Sequence, residues 1–144
     1  MSTYPVLMHT AVDATDVRAL AEFYRKLLGL RYRHGDEPPA DGGEDDKDWL
    51  VLTDGYGNRK LAFQEVPTLA RATWPTDDVP KQMHMDFRVA TVDELERQRR
   101  RAEQLGASVL LDRTDQSDEP LYVFADPAGH PFCILVSGVP GESG

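Results

Sequence analysis

Two histidines, His9 and His84, head two similar stretches of this chain. The first runs from His9 through Asp16 and a helical stretch to Leu28 and Gly29, the second from His84 through Thr91 and a helical stretch to Leu105 and Gly106. Each is followed by strand-like sequence, an Asp-x-x-Gly turn (Asp54 with Gly57, Asp126 with Gly129) and a last apolar strand. Self-similarity on this scale indicates two copies of one supersecondary unit, which puts the two imidazoles at equivalent places. An imidazole can ligate a divalent metal, take part in a hydrogen bond with a ligand, or act as a general base. Asp86 and Arg88 follow His84 at steps of two, so on a strand all three share one face. A charged pair in a groove would orient a polar ligand, while in an open groove it would simply face water. Cys133, the single cysteine, lies in a final apolar strand. It would be a nucleophile only if a pocket histidine made it a thiolate, and a small buried hydrophobe is the commoner role. Trp49, Trp74, Tyr122 and Phe124 are candidates for flat ligand-stacking walls. Phe124 fits a core equally well, and Trp74, beside Pro75, fits a segment anchor.

The elements that would carry these residues can be read from periodicity. Residues 6–12 form a strand. Thr15 or Asp16 caps a helix over residues 17–28, with Leu20, Phe23, Tyr24, Leu27 and Leu28 at helical spacing and Gly29 as its stop. A strand starts at residues 30–33. Residues 34–48, rich in Pro, Gly and Asp, predict a mobile loop whose acidic part, 41–48, is either a lid or a solvated connection. Strands over 49–53 and 60–66 flank the first turn. Residues 82–89 alternate: Met83, Met85, Phe87 and Val89 on one face, Gln82, His84, Asp86 and Arg88 on the other. Thr91-x-x-Glu94 predicts a capping box for a helix reaching Leu105, with Leu95, Ala102 and Leu105 inward. Strands follow over 108–111, 121–125 and 132–136. The order β-α-β-β-β, twice, predicts an α+β fold: two small mixed sheets, each with a helix outside, their other faces turned inward as a cupped, barrel-like groove. The expected organisation is one domain over residues 1–137, with modules at about 5–66 and 82–137, a Pro-containing linker at 67–81 and a tail at 138–144.

Composition limits the function classes. A chain of 144 residues, 40% hydrophobic and 28% charged, is one soluble domain's worth. No apolar run approaches the roughly 18–20 residues of a membrane span, and the first ten residues do not read as a signal peptide. One cysteine allows no internal disulfide and suits a reducing cytoplasm. A net charge of −9 argues against a nucleic-acid partner. Arg97, Arg99, Arg100 and Arg101 read as a solvated helix face.

The segments HTAVDATDVRALAEFYRKLLGL, MHMDFRVATVDELERQRRRAEQLGA and VFADPAGHPFCIL together resemble the vicinal oxygen chelate superfamily, which includes glyoxalase I, bleomycin-resistance proteins and extradiol dioxygenases. More narrowly, the chain is similar to glyoxalase-like domains that pair LAFQ-x-VP with a later H-x-D-F-x-V and DPAGHPFC. The resemblance spans residues 6–136 and implies the glyoxalase/bleomycin-resistance fold and a homodimer. In metal-using members, four side chains hold a divalent metal, one from the first and one from the last strand of each module. Carried over, the first-strand positions are His9 and His84. The last-strand position of the second module, normally glutamate, is Cys133, and that of the first is Ala62, or Gln64 if the strand slips by two. Both family carboxylates are therefore missing. A hard cation wants oxygen ligands, a catalytic transition-metal site wants about three protein ligands, and a dioxygenase triad wants a carboxylate. Asp86, two residues from His84 on the same face, could replace one, although nothing in the spacing demands it.

The expectation is a cytoplasmic small-molecule-binding protein of the sequestering, resistance type, metal-independent, taking an aromatic or polar metabolite. His9, Trp49, Gln64, His84, Asp86, Arg88, Tyr122, Phe124 and Cys133 are its candidate ligand-binding residues. No cofactor is expected. The alternative is Zn, Ni, Fe or Mn on His9 and His84, serving a glyoxalase-type lyase or isomerase or a dioxygenase. A second alternative is a metal-free enzyme with His84 or Asp86 as general base. A homodimer is the expected assembly, with no nucleic-acid or membrane partner.

Overall fold

The computed structural model describes residues 3–115 and 118–137. The chain divides into two compact units between Leu69 and Ala70. The first contains β1 (Thr10–Ala14), α1 (Val17–Leu28), β2 (Arg31–Tyr32), β3 (Trp49–Thr53) and β4 (Arg59–Glu65). The second contains β5 (Met85–Val89), α2 (Val92–Leu105), β6 (Ser108–Arg113), β7 (Leu121–Ala125) and β8 (Pro131–Val136). The expected βαβββ order thus occurs twice. Each unit is an open four-stranded mixed sheet, ordered β1-β4-β3-β2 and β5-β8-β7-β6. The tail expected at residues 138–144 lies outside the described residues.

The helices form where their punctuation says. The Asp16 carboxylate accepts the Ala19 N–H at 3.0 Å, which selects Asp16 over Thr15 as the cap. Such a cap contributes on the order of 1 kcal/mol. Gly29 closes α1 in the left-handed region at φ 68°. Leu20, Phe23, Tyr24 and Leu27 are buried, and Tyr24 stacks on Phe63 of β4. Phe63 pairs with Val12 and Leu50, so that row is the helix side of the first sheet. In the second unit, Thr91 Oγ1 accepts the Glu94 N–H at 3.1 Å. The Glu94 carboxylate turns to Arg97 and Gln98, so Thr91 supplies the capping bond. Leu95, Ala102, Phe124 and Phe132 form the fully buried centre there.

The first strand of each unit starts later than alternation predicts. β1 begins at Thr10 rather than at residue 6, and β5 at Met85 rather than at residue 82. Both strands run parallel to the last strand of their unit, with Thr10 opposite Leu61 and Met85 opposite Phe132. Further back, the partner backbone turns away into Asp54–x–x–Gly57 or Asp126–x–x–Gly129. In the second turn, Asp126 Oδ1 accepts the N–H groups of Ala128 and His130. With no ladder to join, Val6 and Leu7 stay 79% and 86% exposed. His9 and His84 therefore each sit one residue ahead of their strand, at matching places.

Two irregular segments are better anchored than their composition suggests. Residues 70–81, read as part of a linker, fold with the second unit. Arg71 donates to the Pro127 carbonyl at 3.2 Å, and its side chain lies where a Cβ on Gly129 would be. Residues 34–48, expected to be a mobile loop, are strapped to the first unit. Arg18 of α1 donates to the Asp36 carbonyl and to the Asp45 carboxylate, each at 2.7 Å. Asp36, 4% exposed, accepts the Val51 N–H of β3 at 2.9 Å and pairs with Arg33.

This Asp36–Val51 bond generates a stability prediction. Asp36→Ala leaves a buried N–H without an acceptor and should cost about 1–3 kcal/mol in urea unfolding. Asp36→Asn, which keeps an acceptor oxygen, should cost less. Equal losses in the two variants would show that the acceptor is not what anchors the loop.

Candidate functional site

In the first unit, the face opposite α1 carries Ala11, Asp13, Ala62, Gln64, Trp49 and Val51. Ala62 pairs with Ala11 and Val51, and Gln64 with Asp13 and Trp49. Both candidates for the missing carboxylate position therefore do lie on this face. Ala62 is fully buried and offers only a methyl group, while Gln64 is exposed. Asp13, which sequence reasoning did not single out, lies beside Gln64 in the register. Its signal was its spacing, four residues beyond His9 on the same alternation. The His9 ring packs against Trp49 at 5.9 Å with a 55° tilt. Its Nδ1 is buried and has no hydrogen-bond partner among the described residues. His9 also borders an open recess of about 640 Å³, shared with Asn58, Arg59 and Lys60.

In the second unit, Asp86 of β5 is the register partner of Cys133 of β8, which in turn faces Val123 of β7. His84 Nε2 lies 3.2 Å from Asp86 Oδ1. One donor atom from each of His84, Asp86 and Cys133 falls within 4.8 Å of the others. The segment ahead of β5 lays Trp74 nearly parallel to the His84 ring, at 6.1 Å and 15°, and Lys81 Nζ sits 4.2 Å over the indole. Trp74 is thus a wall of the histidine as well as a segment anchor. Arg88 is exposed further along the Asp86 face.

Phe124 takes the core role rather than that of a ligand wall, and Tyr122 joins it. Cys133 pairs with Val123, so the residues on either side of Val123 point to the other face. Phe124 is fully buried and stacks on Phe132 at 5.0 Å. Tyr122 donates its hydroxyl to Glu96 of α2 at 2.6 Å. Burial, reinforced by Glu96, raises its phenol pKa. Both residues belong to the helix-side core, and neither shares a face with His84, Asp86 and Cys133.

Cys133 is 5% exposed, and burial with Asp86 beside it pushes the thiol up to about 11. At neutral pH it is therefore a neutral thiol, not a nucleophile. The pair of carboxylates that a hard divalent cation would want is not rebuilt: one position offers a methyl group, the other a thiol. The His84–Asp86 contact does have the geometry in which a carboxylate orients an imidazole base.

The paired βαβββ units, with a histidine at the head of each, agree with sequence comparison. The family model for the glyoxalase-like domain matches residues 9–135. This chain belongs to the glyoxalase-like domain family. Three solved structures share the fold. Lactoylglutathione lyase from Agrobacterium tumefaciens is 20% identical with TM-score 0.60, over 97% of this chain and 99% of that one. The fosfomycin resistance protein FosX from Listeria monocytogenes is 14% identical with TM-score 0.67, over 97% of each chain. The hypothetical protein SA1046 from S. aureus is 19% identical with TM-score 0.63, over 92% of this chain and 97% of that one. No curated protein matches the sequence. At these identities the glyoxalase-like fold carries over and the neighbours' activities do not. No helix among the described residues is long and apolar enough to cross a membrane.

The raised thiol pKa is directly testable. In chelator-treated native protein, alkylation of Cys133 by iodoacetamide should accelerate with pH and level off only near 11. The unfolded chain should level off near the ordinary thiol value of about 8.5. The sign also fixes a stability trend, because the unfolded thiol gives up its proton first. This group's contribution is intact below about pH 8.5 and declines from there toward 11. A native inflection at or below the unfolded one would contradict the assignment.

Proposed function

We propose that this glyoxalase-like protein binds and sequesters a small molecule, with the His9–Trp49 pair of the first unit as its recognition element and without a metal at that element. The observation that carries this reading is the buried, unpaired Nδ1 of His9 beside an indole wall. A buried polar atom without a partner costs about 1–3 kcal/mol; a turn of the His9 ring toward the recess it borders would bring Nδ1 to a ligand and recover that cost. Trp49 offers a flat surface for stacking, and Arg59 and Lys60 on the adjoining recess favour a ligand with acidic or polar substituents. The recess volume lies within the range of about 300–1,000 Å³ common for small-molecule sites. The ligand class is therefore a planar, polar or aromatic metabolite.

Sequestration also fits the residues that replaced the family's carboxylates. Lyase, isomerase and dioxygenase chemistry on the family pattern calls for an oxygen ligand or base where Ala62 and Cys133 stand. Holding a ligand makes no such demand. A cytoplasmic location and a homodimer are parts of the same proposal: a lone buried thiol suits a reducing compartment, and sedimentation equilibrium would read the dimer.

A thermal-shift screen of planar aromatic and acidic metabolites, run in the presence of chelator, tests the reading. A native-state ligand at 100 times its Kd adds about 2.7 kcal/mol and should raise Tm by several degrees. His9→Ala and Trp49→Ala should each remove most of that rise while still folding. If no chemotype shifts Tm, or the shift survives both substitutions, the proposal fails. Consumption of a hit compound would place the chain among enzymes instead.

A further inference from the structure

We propose that His84, Asp86 and Cys133 form a second site, wholly inside the second unit, that binds one borderline-soft divalent metal ion of the zinc class. This goes beyond the binding reading and does not rest on it, since that reading uses His9 and Trp49 of the first unit. The donor set also departs from the four-position pattern carried over from metal-using relatives. It shares His84 and Cys133 with the second-module half of that pattern, but takes its carboxylate from Asp86 of β5 and needs nothing from the first unit.

The placement of the donors comes from the sheet. Asp86 and Cys133 are register partners on adjacent parallel strands, and His84 lies two residues before Asp86 on the same alternation. Two of the three ligands are therefore fixed by backbone hydrogen bonding rather than by a loop. Tetrahedral bonds of about 2.0–2.3 Å place ligand atoms roughly 3.3–3.8 Å apart. His84 Nε2 and Asp86 Oδ1 already stand at 3.2 Å, and the whole set lies within 4.8 Å. Asp86 and His84 are both exposed, so side-chain rotation there is the motion by which the proposed site would close the remainder. Trp74, stacked on His84, holds the imidazole plane as an outer partner would.

The chemistry selects the ion. A sulfur donor with one imidazole and one carboxylate disfavours Mg²⁺ and Ca²⁺, which want oxygen throughout, and suits Zn²⁺ and its spectroscopic substitute Co²⁺. On binding, the Cys133 thiol proton leaves to solvent. The thiolate and the Asp86 carboxylate then neutralise the dication within the strand pair. Three protein donors leave the fourth position to water or to an anionic small molecule.

Cobalt titration of tag-free, chelator-treated protein tests this without any assay of activity. The expected result is one equivalent of Co²⁺, visible bands of tetrahedral intensity and a thiolate-to-cobalt charge-transfer band in the near ultraviolet, all displaced by Zn²⁺. Cys133→Ser should abolish the charge-transfer band, and Asp86→Asn should weaken binding at least about tenfold. Asp86 is exposed, so that variant keeps the test decisive if Cys133→Ser does not fold. No binding, a spectrum without thiolate character, a charge-transfer band that survives Cys133→Ser, unchanged affinity in Asp86→Asn, or loss of binding in His9→Ala would each overturn the proposal. A ligand-induced Tm shift without cobalt binding would sink this site and leave the binding reading standing. Cobalt binding without any ligand shift would do the reverse.

Discussion

The parallel pairing of first and last strand within each unit is the constraint on which the rest depends. Hairpin connections alone would leave the strand before the helix at an arbitrary distance from the strand that ends the unit. The crossover through α1 or α2 brings the two side by side, Thr10 with Leu61 and Met85 with Phe132. That pairing sets where the histidines stop being strand residues. It also sets which side chains of β4 and β8 face the same way as Asp13 and Asp86. A one-residue slip would send Cys133 into the helix-side core and bring Ile134 out in its place.

Within that frame the two units have diverged chemically. The first offers an imidazole with an unpaired nitrogen against an indole, next to a methyl group where an acid would be needed for a hard cation. The second offers an imidazole already paired with a carboxylate, next to a thiol. The ligand contact proposed at the first unit and the soft-metal coordination proposed at the second both rest on that difference. A repeated architecture with unlike donors accounts for membership of the glyoxalase-like family without obliging the family's carboxylate chemistry.

Much of this was legible in the sequence where the determinants are local. Asp16 and Gly29, Thr91 and Gly106, and the apolar spacing between them specify both helices to the residue. The Asp-x-x-Gly turns carry their own hydrogen bonds, as Asp126 shows. The strand starts were not legible, because Val6 and Leu7 alternate well enough and fail only for want of a partner backbone. Whether Tyr122 and Phe124 wall a ligand or fill the core was not legible for a related reason: alternation says they share a face, but only pairing with β8 says which. The anchoring of residues 34–48 was hidden too. An Asp-rich segment has the same composition whether or not one carboxylate, Asp36, reaches a buried N–H of β3. The step from His84 to Asp86 was visible as i, i+2, but Cys133 joins them only through a parallel register that spacing alone does not reveal.

Anomalous diffraction at the zinc edge, from crystals grown with one equivalent of zinc, tests the central claim that the two histidine sites have separated in chemistry. The account predicts a single peak, about 2.3 Å from Cys133 Sγ and within bonding distance of His84 and Asp86. His9 would be free of metal. A peak bonded to His9 and His84 together, with Cys133 uncoordinated, would contradict it.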